Sequence, residues 1–242
     1  MKRLLLSIVI VAFWARAALA LEPAADPALA TVRIKSHGAS ATIIATTEGR
    51  SWLLGCAHMF TDWAGNPSEA ARRKKLVMDG PSQPYAPKKH AEIKLLAWDY
   101  ELDLSLLEIA NGPFNHIPVA RDGFKPGKNL WSCGYDEMRW PLTKKRATIL
   151  FSQGNTTYTE ERPWHGRSGG GLTDGDGRVL IGVVQGYEIY PNNRGLYISH
   201  QAILRFLKTH WKNAPPQTFE EAVPIKRQRL MAPPRINLLC PS

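Results

Sequence analysis

Cysteine is scarce in this chain of 242 residues, with only Cys56, Cys133 and Cys240. Three is an odd count, so at most one internal bridge can form, and the sequence does not choose the pair. A disulfide framework is therefore excluded, although some cysteine is compatible with an oxidising compartment. No CxxC, HExxH or HxH occurs, which removes the common zinc-ligand spacings. The first 20 residues contain no acid, and no later apolar stretch approaches the roughly 20 residues a membrane-spanning helix needs. Internal repeats of about 20–50 residues are also missing, which argues against solenoids and propellers.

With 44% hydrophobic and 21% charged residues, the chain is too apolar for a disordered protein and long enough to bury a core without staples. Its opening segment reads as a secretory signal over residues 1–20. Lys2 and Arg3 precede an uncharged apolar run from Leu4 to Trp14, and Ala18-Leu19-Ala20 supplies a small-x-small cleavage site. The expected mature chain starts near Leu21, is exported to the periplasm or medium, and keeps no stable membrane span. Removing Lys2, Arg3 and Arg16 from the formal charge of +10 leaves a milder basic excess. That excess is scattered over Arg72–Lys75, Lys88-Lys89, Lys144–Arg146 and Lys226–Arg229, as solvated faces would be. No nucleic-acid motif accompanies it, so no nucleic-acid partner is expected.

Residues 21–30 form an Ala/Pro-rich leader. Short β-prone runs separated by turn formers follow: 31–34, 41–46, 52–57, 93–97, 104–109, 130–133, 147–152 and 179–185. The polar stretch 61–90 reads as loops with one short basic helix. Ile203, Leu204, Phe206, Leu207 and Trp211 recur at helical spacing, which predicts an amphipathic helix over 199–211 with Ser199 able to cap it. Residues 213–242 are Pro-rich and basic without periodicity and read as a tail. Many short strands closed by one helix predict an all-β barrel or sandwich.

Chemistry concentrates in three segments. Gly166-Arg167-Ser168-Gly169-Gly170-Gly171 sets a serine among glycines, which adopt turn geometries other residues avoid and allow close approach to the backbone. Gly55-Cys56-Ala57-His58 ends an apolar run in histidine. Asp103 opens the alternating run Leu104-Ser105-Leu106-Leu107. Each alone reads as structural, but His, Asp and Ser in this order change the weighting.

The chain resembles the trypsin-like (chymotrypsin-fold) serine peptidases, especially the shorter exported bacterial ones. His58 after small residues is similar to the family's Thr-Ala-Ala-His motif, Asp103-Leu104-Ser105-Leu106-Leu107 to its Asp-Leu-Ala-Leu-Leu element, and Gly166–Gly170 to its Gly-x-Ser-Gly-Gly motif. The separations of 45 and 65 residues between the three fit the family, and the resemblance covers about 31–212. It implies two six-stranded antiparallel β-barrels, about 31–112 and 113–198, followed by the helix. It also implies a serine endopeptidase acting on protein or peptide substrates without a cofactor, with Ser168 as nucleophile, His58 as base and Asp103 orienting the imidazole. The backbone N–H groups of Gly166 and Ser168 would form the oxyanion hole. Gln185, Gly186 and Tyr187 would run beside the substrate, and Arg162 would occupy the position that often floors the primary pocket, favouring an acidic side chain there.

Departures are also visible. Where activated digestive members carry an Asp that pairs with a freed amino terminus, this chain has Arg167, which cannot make that pair. A catalytically silent, peptide- or envelope-binding domain is the alternative. Gly166-x-Ser168-x-Gly170 also satisfies the nucleophile elbow of α/β-hydrolases, but that elbow needs a helix after the serine. The glycines and Asp174-Gly175-Asp176-Gly177 predict a hairpin there instead.

Overall fold

The structure, a computed structural model, describes residues 26–60, 66, 76–79, 91–110, 112, 114–127, 129–139, 142–189, 192–212 and 219–220. The expected signal, residues 21–25 of the leader, nearly all of the 61–90 stretch, Cys240 and the tail apart from residues 219–220 lie outside them.

Six strands close the first barrel: β1 (Thr31–Ile34), β2 (Ala39–Thr47), β3 (Arg50–Gly55), β4 (Leu76–Asp79), β5 (Ala91–Asp99) and β6 (Leu104–Ile109). They are antiparallel throughout, in the order β1-β2-β3-β6-β5-β4. Gly49, at φ +86°, turns β2 into β3, a backbone conformation that costs glycine no Cβ clash. Side-chain alternation then sorts residues between two cores. Ala39, Ala41 and Ile43 of β2, Leu53 of β3, and Leu107 and Ile109 of β6 fill the barrel. The neighbours facing the other way, Ile44, Leu54, Leu104 and Leu106, pack against the second half of the chain.

That half is built from β7 (Val119–Ala120), β8 (Leu130–Gly134), β9 (Thr143–Ala147), β10 (Ile149–Gln153), β11 (Thr156–Thr159), β12 (Gly171–Thr173), β13 (Leu180–Glu188), β14 (Arg194–Ser199) and β15 (Phe219–Glu220). Its main path is β10-β11-β14-β13-β12-β8-β9. The two end strands are consecutive in the chain, parted only by Thr148, and with β7 and β15 the whole is a nine-stranded sheet. The short β7 lies parallel to β13 and to β15. Leu130, Ala147, Leu172, Ile181, Val184 and Tyr197 make its core.

A helix, α1 (His200–His210), follows β14. Ser199 caps it, its side chain accepting from the Ala202 N–H. Ala202, Ile203, Phe206 and Leu207 are buried and join the cluster that the two halves share. At its end Trp211 meets Trp52 of β3, ring centroids 5.5 Å apart. Among the described residues no helix is long and apolar enough to cross a membrane.

Candidate active site

His58 and Asp103 meet at the edge of the first barrel. His58 follows the end of β3, and Asp103 closes the turn into β6. The Asp103 backbone accepts a hydrogen bond from Ala57 N–H (3.1 Å), which fastens the two segments together. Asp103 holds φ +56°, left-handed geometry that aspartate tolerates better than most side chains. Its carboxylate is buried and accepts from the His58 backbone N–H at 2.9 Å and from Nδ1 at 2.8 and 2.9 Å. A carboxylate can only accept, so Nδ1 carries the proton and Nε2 is left as an acceptor. The imidazole itself stands at the surface, 41% exposed.

Nε2 faces Cys56 Sγ at 3.6 Å. Cys56, His58 and Asp103 therefore gather sulfur, nitrogen and oxygen atoms within 4.8 Å of one another. The trio does not fit a metal ion. Asp103 is engaged by Nδ1, and burial together with the Asp103 charge pushes the Cys56 thiol well up, away from the thiolate a metal needs.

Ser168 lies on the turn between Trp164 and β12. Its backbone carbonyl accepts from Ser40 N–H of β2 at 2.9 Å, and its hydroxyl donates to the Gln185 carbonyl at 3.5 Å. The turn presses on the segment leading to His58: a Cβ on Gly169 (φ +84°) would stand 3.2 Å from both Gly55 Cα and Cys56 N, and 2.2 Å from Ser40 O. Only glycine fits there. The structure thus packs the turn that carries Ser168 against the segment leading to His58, and no hydrogen bond joins Ser168 to His58 among the described residues. Strand follows the serine, as the hairpin reading expects, with β12 turning into β13 through Asp174, whose carboxylate accepts from Arg178 and Val179 N–H.

The remaining sequence-selected residues surround this turn. Gly166 stands at φ +89°, and its N–H and that of Ser168 have no hydrogen-bond partner among the described residues. Gln185, Gly186 and Tyr187 lie in β13; Gly186 and Tyr187 pair with β14, and Gln185 stands at a shift in the register. Beyond Val184 no described strand pairs with their other side, which leaves an open edge. The Arg162 guanidinium lies over the Tyr187 ring at 4.0 Å and donates to Asn193 Oδ1. Tyr187 in turn reaches His165 Nε2 at 3.1 Å. Arg162 is thus engaged by an aromatic face beside the open edge.

Sequence reasoning missed the surroundings of Arg167. This residue is fully buried, its guanidinium held by Asp136, Glu161 and Ser132. Tyr197 donates to Glu161, and burial next to that carboxylate pushes its hydroxyl pKa up, which keeps it a donor. An arginine in a glycine-rich turn was the available signal, because a buried cation requires compensating acids. Which acids these are depends on the fold.

No protein-family model matches the sequence, and no curated protein does. Solved structures do match. The active form of the Rv3671c protease from M. tuberculosis superposes with a TM-score of 0.58 at 16% identity, over 78% of this chain and 84% of that one. The serine endoprotease from Yersinia pestis gives 0.58 at 19%, over 78% and 64%. The HtrA-type protease AlgW with a decapeptide gives 0.55 at 19%, over 75% and 52%. The chain therefore covers only part of the last two. The fold is the chymotrypsin-like double barrel of trypsin-like serine peptidases.

Proposed function

We propose that this chain is an exported serine endopeptidase. The observation carrying the reading is the His58–Asp103 pair with an accepting Nε2, set beside a serine turn with two unpartnered N–H groups. Ser168 Oγ would attack the scissile carbonyl, His58 Nε2 would take its proton and return it to the leaving amine, and Asp103 would hold the imidazole and stabilise its protonated form. The Gly166 and Ser168 N–H groups would receive the oxyanion, each such donor being worth about 3 kcal/mol in the transition state. Substrate backbone would add to the open edge at Gln185, Gly186 and Tyr187. Attack requires the Ser168 hydroxyl to exchange the Gln185 carbonyl for Nε2, and such contacts often tighten only with substrate in place.

Arg162 beside that edge favours an acidic side chain before the scissile bond; reporter peptides with Glu, Phe and Lys at that place measure it, and equal rates exclude it. Export rests on residues 1–20, and a mature terminus near Leu21 on secretion is the expected result.

A silent binding domain is the second reading, favoured by Nε2 facing Cys56 rather than Ser168. Fluorophosphonate labelling decides between the two. A label on Ser168, absent from Ser168→Ala and His58→Ala, is expected; a folded chain that takes no label supports the binding domain.

A further inference from the structure

The turn that carries Ser168 is gripped from inside the protein. Arg167 Nε and Nη2 donate to the two Asp136 oxygens, each at 2.7 Å. Nη1 donates to Glu161 Oε1 at 2.8 Å and Ser132 Oγ at 3.2 Å. The Tyr197 hydroxyl donates to Glu161 Oε2 at 2.6 Å, and Lys145 Nζ approaches Asp136 Oδ2 at 3.3 Å. A bidentate arginine–carboxylate pair fixes direction as well as charge.

The backbone shows what this grip aims. A trans peptide points its N–H opposite to its C=O. The His165 carbonyl accepts from Glu137 N–H at 2.5 Å, so the Gly166 N–H of the same peptide faces the other way. The Arg167 carbonyl accepts from Gly170 N–H at 2.8 Å, which likewise sets the Ser168 N–H. The Gly166 carbonyl is held by Ser40 Oγ at 2.8 Å. One short 3-10 turn, Asp136–Met138, therefore serves the loop twice, through the Asp136 carboxylate and the Glu137 N–H.

We propose that Arg167 is a positioning residue: paired with Asp136 and Glu161, it holds the Gly166 and Ser168 N–H groups toward the substrate, so that the oxyanion hole is assembled by folding alone. No new chain terminus is needed, because both counter-charges are internal. The inference rests on the peptidase reading and deepens it.

The experiment uses the mature chain and three variants: Arg167→Met, Arg167→Lys, and the triple Arg167→Met, Asp136→Asn, Glu161→Gln. The triple leaves no buried charge unpaired and keeps similar volume, so it is the variant most able to fold. Thermal melting is measured beside kcat, KM and inhibition by a peptide aldehyde, whose serine adduct places an oxygen in the hole. In Arg167→Met and in the triple, kcat is expected to fall about 10²–10³-fold with KM within roughly twofold, as loss of an oxyanion donor does. Aldehyde inhibition weakens by a similar factor, and Arg167→Lys loses less. A folded Arg167→Met or triple variant with wild-type kcat overturns the proposal, as does a loss confined to KM. Where neither neutral variant folds, Arg167→Lys decides: wild-type kcat and aldehyde affinity in it overturn the proposal. A wild-type chain that takes no fluorophosphonate defeats the peptidase reading itself, a distinct failure.

Discussion

Gly134→Ala is a small change with a large expected effect. Gly134 ends β8, and a Cβ built on it would sit 2.3 Å from Arg167 Cγ and 3.2 Å from Arg167 Cα and Cβ. Carbon atoms in contact settle near 3.5–4.0 Å, so either strand or side chain must yield by more than about 1 Å. Arg167 has nowhere to go: its guanidinium bonds of 2.7–2.8 Å would stretch beyond the ordinary hydrogen-bond range. Overpacking of this kind costs about 1–3 kcal/mol, and releasing a buried ion pair adds roughly 3–5 kcal/mol. For a chain of this size each kcal/mol lowers the melting temperature by about 2–4 °C, so overpacking alone predicts a drop of roughly 2–12 °C. Scanning calorimetry with Gly127→Ala as control measures it, since nothing lies within 4 Å of a Cβ at Gly127. Fluorophosphonate labelling should slow in the same variant. If Gly134→Ala melts and labels like the wild type, the close packing claimed for Arg167 is wrong.

Asp103→Asn should lower kcat/KM by on the order of 10⁴-fold, because an amide no longer enforces the tautomer; a loss under tenfold in a steady-state assay would refute that role. Burial lowers the pKa of His116 from its ordinary 6.5. The unfolded chain therefore binds a proton first, and stability present above pH 6.5 is lost as pH falls from there toward the lowered value. His37 shifts the same way but is common to both chains, so the gap in melting temperature between wild type and His116→Asn should change as pH falls below 6.5; a gap constant with pH excludes the His116 contribution. Cys56 and Cys133 are buried, and the Cys133 thiol is pushed up to about 12. Both should resist iodoacetamide at pH 8 until the chain unfolds, and rapid native alkylation by mass spectrometry would contradict this.

Period-two runs were readable where the residues themselves are apolar. Thr31–Ile34 and Leu104–Ile109 appear in the fold with the bounds that alternation gives. Strands β11 and β14 carried no such pattern. Thr156–Thr159 and Arg194–Ser199 are polar or mixed, and become strands by pairing with each other and with β13. The run 147–152 reads as one strand, yet Thr148 divides it, its carbonyl instead accepting from Glu160 N–H. The His58, Asp103 and Ser168 motifs were legible because each has a distinctive local surround. The partners of Arg167 were not: Asp136 and Glu161 come from separate loops, and no spacing rule links a buried guanidinium to acids that converge only in three dimensions.

The helix that follows β14 also sets a timetable. Its apolar face joins Ile44, Leu54, Leu104 and Leu106 of the first barrel to Leu180, Val183 and Ile198 of the second. During synthesis His58 and Asp103 leave the ribosome long before Ser168, and α1 follows after all three. The apolar cluster that the two halves share is therefore complete only once α1 has been made.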